Sequence, residues 1–123
     1  MANINCTTTP LAPAETQGKL YSFAWTPLTF SGTDVGLPVA AHYALATDRS
    51  VQVHGTFGVG GTVLIEGSND GTNWYTLTDP QGNALSVNAA KIEAISEPTV
   101  YVRPRVTAGD GSTSLTVTIF ARI

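Results

Sequence analysis

Charge is what this sequence has least of. Only 12% of its 123 residues are Asp, Glu, Lys or Arg, about half the share of an average soluble protein. The six basic residues are Lys19, Arg49, Lys91, Arg103, Arg105 and Arg122, and no group among them is larger than the pair around Pro104. A phosphate-binding surface draws its affinity from several basic groups acting together, so nucleic acid is not expected as a partner. Cysteine is almost absent too. Cys6 stands alone, which rules out a disulfide within the chain and any need for an oxidising compartment to fold. No run approaches the ~18 apolar residues of a membrane-spanning helix, and no membrane partner is expected. Met1 to Asn5 lack the basic start and apolar run of a secretory signal, so the expectation is synthesis in a cytoplasm.

The residues that carry chemistry are equally thin. His42 and His54 are the only histidines, and neither has a nitrogen or thiolate neighbour at ligand spacing. The carboxylates are scattered, most of them in predicted turns where capping the backbone explains them, whereas glycoside hydrolysis needs two facing each other across a cleft. Asn69, Asp70, Asn73 and Asp79 offer oxygen atoms, but not in the alternating pattern of a calcium loop. The glycines of FGVGG (57–61) are followed by no Lys-Ser/Thr and lie between strands, so they are not a phosphate loop. No catalytic residue, cofactor or metal ligand set is expected, and the chain reads as non-enzymatic.

What the chain does have is alternation. Its 42% hydrophobic content fills one core at this length and not two. In KLYSFAW, Tyr21, Phe23 and Trp25 fall on one face, the period of two expected of a half-buried strand. Val51 and Val53 alternate with Gln52 and His54; Val63 and Ile65 follow after the glycines, and the pair reads as a hairpin. Asn69-Asp70-Gly71 and Asp79-Pro80-Gln81-Gly82-Asn83 are turns. Near the C-terminus Val102, Pro104 and Val106 oppose Tyr101, Arg103 and Arg105, and Leu115, Val117, Ile119 and Ala121 oppose Phe120. Residues 39–46 read as a short strand in preference to a single helical turn, while 89–95 fit one or two helical turns, a sheet edge or a loop.

Short strands separated by Gly, Asn, Asp and Pro turns define an all-β fold, a compact antiparallel β-sandwich over residues 19–123, with a jelly roll as one way to wind it. Residues 1–18 are rich in Thr and Pro and read as an extended N-terminal arm, with Ile4 and Leu11 as its apolar contacts for a neighbouring subunit, or as a frayed terminus. Trp74 is read as core more readily than as a ligand platform with Tyr75.

Two stretches carry a family resemblance. HGTFGVGGTVLIEGSNDGTNWYTLTDPQGNAL (54–85) and VYVRPRVTAGDGSTSLTVTIFARI (100–123) resemble small virion structural proteins of tailed bacteriophages, with G-S-N-D-G-T-N-W and Y-V-R-P-R-V-T-x-G-D-G as the more specific pieces. The resemblance spans residues 49–123 and is strongest to capsid decoration, or cement, proteins; similar domains also serve in necks and tails. It implies a β-sandwich without catalytic residues that sits on the capsid surface of the virion and binds the major capsid protein. Together with the low charge it implies self-association, a trimer in preference to a dimer, with Tyr101, Arg103, Arg105 and Phe120 as interface candidates. The alternative from another class is a carbohydrate-binding module resting on S-N-D-G-x-x-W, with Trp74 and Tyr75 as its platform. A soluble β-domain of unrelated purpose is the third reading.

Overall fold

Strands with apolar residues at every second position need a second layer to cover them. In the computed structural model, which describes residues 2–11 and 20–123, that layer is a second sheet. The elements run β1 (Asn3–Ile4), β2 (Thr7–Pro10), β3 (Leu20–Thr29), β4 (Val35–Gly36), a 3-10 turn (Ala41–Tyr43), β5 (Asp48–Thr56) and β6 (Thr62–Ser68). They continue through β7 (Tyr75–Thr76), β8 (Ser86–Val87), β9 (Lys91–Ile95), β10 (Tyr101–Ala108) and β11 (Ser114–Arg122). One sheet has the order β1-β4-β10-β6-β7, with β8 also pairing β6; the other has the order β2-β3-β11-β5-β9. Every ladder between these strands is antiparallel except β1 with β4. The fold is a β-sandwich.

The core is the sum of the inward faces. Phe23, Trp25 and Leu28 from β3, Val51 and Val53 from β5, and Leu115, Val117 and Ile119 from β11 meet Val63, Ile65, Val102 and Val106 from the opposite sheet. Trp25 is fully buried and donates its indole N–H to the Leu37 carbonyl at 2.8 Å, which satisfies the one polar atom that so large a side chain brings inside. Arg49 is also buried. Its guanidinium donates to the carbonyls of Ala46 and Thr99, clamping the start of β5 to the segment before β10, and burial lowers its pKa.

Three local expectations change, and one that stood open is decided. The glycines 58, 60 and 61 do reverse the chain, but β5 and β6 are not hairpin partners: β5 pairs β11 and β9, whereas β6 pairs β10, β7 and β8. The turn is an arch that carries the chain from one sheet to the other. Alternation identifies the inward face of a strand but not the sheet it joins, and two strands covering one core from opposite sides alternate alike. Residues 39–46 contain a 3-10 turn in place of a strand, and its Tyr43 packs edge-on against Tyr21 and Phe23, with ring centroids 4.8 and 5.2 Å away. Residues 91–95 form a sheet edge, with Gln52 opposite Ile92. The third change concerns the arm. Residues 3–4 pair with β4 and residues 7–10 with β3 of this same chain, and Ile4 and Cys6 pack against the core. Described residues 2–11 are thus part of the sandwich, because the edges of β3 and β4 offer unpaired backbone groups that an extended segment satisfies. The rest of the expected arm, residues 12–18, lies outside the described residues.

Candidate functional site

The outer face of the six-stranded sheet holds the only cluster of ion pairs among the described residues. Alternation along β10 turns Tyr101, Arg103 and Arg105 outward, and the ladder to β6 sets Arg103 opposite Glu66 and Arg105 opposite Leu64. Glu66 is buried and accepts from Arg103 Nε at 3.1 Å and from Arg105 Nε and a terminal nitrogen at 3.0 and 2.9 Å. The Arg103 guanidinium also lies over Trp74, 3.9 Å from the ring centroid, in the geometry of a cation–π contact. Tyr101 flanks the same indole at 6.4 Å.

This arrangement revises two sequence expectations. Arg103 and Arg105 do lie on the less buried face, but they are paired within the chain and are not unpaired groups waiting for an interface. Glu66, their partner, sits 37 and 39 residues away, so only the strand register brings the three together. Trp74 is half-buried beneath Arg103 and is not the core plug; Trp25 fills that role. Tyr75 points the other way and is 71% exposed.

Beside this cluster a cleft of about 480 Å³ opens between the 69–73 turn, β7 and the segment before β10; Ser68, Asp70, Asn73, Tyr75, Glu97 and Thr99 contribute to its walls. Its carboxylates are already engaged. Asp70 accepts the backbone N–H groups of Asn73 and Thr72 at 2.8 Å, the Asn73 amide at 2.7 Å and the Ser68 hydroxyl at 2.9 Å. Those bonds hold its carboxyl well below the ordinary carboxylate range, with the Asn73 N–H as the largest cause. Glu97 accepts both the N–H and the hydroxyl of Thr78. Asp70 caps its own turn, and Glu97 ties the segment before β10 to Thr78. His42 and His54 are both exposed. Among the described residues, no three of His, Cys, Asp and Glu come together where they could hold a metal ion.

The outer face of the five-stranded sheet is different in kind. Residues directly opposite each other in antiparallel ladders share a face, so the registers define rows across it. One row runs Thr9, Ser22, Phe120, Ser50, Ala94, and the next Thr7, Ala24, Thr118, Gln52, Ile92. A third contains Thr26, Thr116 and His54, with the two threonine hydroxyls 2.7 Å apart. Phe120 lies on this outer face, 37% exposed, as its alternation implies, and Ile92 is 63% exposed. Of the remaining interface candidates, Ile4 is half-buried against the core and Leu11 is 49% exposed at the end of β2. The expected interface residues therefore do not form one patch. Tyr101, Arg103 and Arg105 stand on one sheet and Phe120 on the other.

Glu66, Ile92 and the threonine rows were not among the sequence candidates. Their significance depends on which strands are neighbours, and a single sequence does not state that. No family model, curated protein or solved structure matches the chain.

Proposed function

We propose that this chain is a non-enzymatic structural protein of a tailed-bacteriophage virion, a decoration protein that binds the outer surface of the capsid and stabilises it. The resemblance of residues 54–85 and 100–123 to such proteins carries the reading. The roles of those residues in the fold support it. The 67–74 motif is a self-capped turn closed by Asp70, and the 101–111 motif is a core strand followed by an arch between sheets. Both motifs serve as framework, which suits a protein whose work is to present a rigid surface. The low charge supports it as well, since close-packed shells bury surface on which each unpaired charge would be costly. The test is direct. Purified particles labelled with an antibody against this chain should carry label on the head, and particles stripped of it should break at lower temperature and recover when it is added back. Particles that lack the chain altogether would sink the reading.

A carbohydrate-binding role is the second reading, favoured by one observation: Tyr75 stands 71% exposed at the wall of the 480 Å³ cleft, as a sugar-stacking ring would. Affinity electrophoresis in neutral polysaccharide gels should then show retardation that Tyr75→Ala abolishes. Equal mobility in all gels removes this reading.

A further inference from the structure

The two outer faces of the sandwich differ in charge. The three rows across the five-stranded sheet contain no Asp, Glu, Lys or Arg, whereas the other sheet carries Arg103, Glu66 and Arg105 on its face. Charge returns at the rim, where Arg122 and Asp48 pair across the ends of β11 and β5. A charge-free face that exposes an aromatic and an aliphatic side chain and meets charge at its border has the composition of a protein–protein contact. Phe120 and Ile92 are the anchors.

We propose that this face is covered by the same face of a second copy of this chain, across a two-fold axis lying in the plane of contact over Thr118. A charged partner surface would find nothing here to pair with and would lose hydration on docking. Another uncharged, Thr-rich face carrying one Phe and one Ile has no such cost, and the surface that is certain to offer those features is this one. An isologous contact of this kind needs only self-complementarity. Five strands ~4.8 Å apart and rows ~7 Å apart give a flat area on the order of 500 Å², below the ~800 Å² that each partner buries in a standard interface, which places the contact in the weak, concentration-dependent class. Two sheets meeting face to face is also the packing already used inside the sandwich. This inference stands apart from the virion reading and replaces the three-fold association implied by the resemblance with a two-fold one.

Sedimentation velocity on the full chain over a concentration series tests it. The wild type should sediment at twice the 12.8 kDa chain mass at about 10 µM and above. Thr118→Arg, which buries two guanidinium groups near the axis, should weaken association at least about tenfold while the far-UV spectrum and thermal transition stay in place. Should that variant fail to fold, Gln52→Lys, at an exposed position of the same row, gives the same readout. Ser86→Arg, exposed on the opposite sheet, should leave the dimer intact. A wild-type monomer up to about 100 µM, a trimer, or a dimer that survives both charged substitutions would overturn the proposal.

Discussion

Asp110 accepts the backbone N–H of Val59 at 2.9 Å, and that bond ties together the two arches that pass between the sheets at one end of the sandwich. Val59 is at the tip of the β5–β6 arch and Asp110 begins the β10–β11 arch. Thr113, buried in the second arch, reinforces the link by donating its hydroxyl to the Phe57 carbonyl at 2.7 Å. The glycines that make the first arch are needed for its shape: Gly58 and Gly60 have φ of 67° and 74°, and a Cβ on Gly61 would overlap the Phe57 carbonyl oxygen.

The Asp110 carboxyl is pushed down to about 2 by the Ser112 hydroxyl, the Val59 N–H and the Ser112 N–H. Asp70 and Asp79 are lowered by the same kind of bonds, led by the N–H groups of Asn73 and Asn83. In the unfolded chain all three carboxyls titrate near ~4. Below that pH the unfolded state binds more protons than the folded one, so stability falls as pH falls towards about 2 and is fully present above roughly pH 5. Thermal melts between pH 7 and pH 2 should show a level Tm that declines below about pH 4. Asp110→Asn should lower the neutral-pH Tm and flatten that decline.

Glu66 is the shared partner of two arginines, so its removal leaves like charges side by side. Glu66→Ala should cost about 1–3 kcal/mol, less than a fully buried pair would, because Arg103 and Arg105 keep 21% and 37% of their side-chain surface exposed. Urea unfolding of Glu66→Ala, Arg105→Ala and the double variant measures it. A coupling energy near zero would mean that the pair contributes nothing.

Ile119 is fully buried at the middle of β11, between Phe23 on β3 and Val51 on β5. Ile119→Val should cost about 0.5–1.5 kcal/mol and Ile119→Ala about 2–5 kcal/mol. Ile119→Asp would place an unpaired carboxylate in the core and should abolish folding. A soluble Ile119→Asp protein with a cooperative melt would contradict the inward assignment.

Much of this was legible in the sequence. The buried faces of β3, β5, β6, β10 and β11 follow from alternation, since a period of two states which side chains share a face. The turns at Asn69–Gly71 and Asp79–Asn83 follow from side chains that bond their own backbone. Strand neighbours do not follow. The arch at 58–61 looks like a hairpin because glycine permits either, and the Arg103–Glu66–Arg105 cluster and the charge-free rows both depend on strand order. Trp74 reads as core in the sequence for a related reason: what covers its ring is Arg103, on a strand 29 residues further along.

Residues 2–11 belong to both sheets, so their removal should not be neutral. Deleting them takes away β1, β2 and the core contacts of Ile4 and Cys6. Each kcal/mol lost lowers Tm by about 4 °C in a domain of this size, and a drop of more than about 5 °C is expected by calorimetry. An unchanged transition would restore the description of this segment as an arm.

The central place of β11 bears on how the molecule is made. It separates β3 from β5, which are not hydrogen-bonded to each other. During synthesis the five-stranded sheet therefore has a gap down its middle until residues 114–122 leave the ribosome, and the exposed flanks of β3 and β5 are open strand edges of the kind that pair with foreign chains. Closing the gap joins segments far apart in sequence, a slow class of folding step. A nascent chain stalled before residue 114 should be protease-sensitive throughout and dependent on chaperones, and it should become resistant in a single step once β11 emerges.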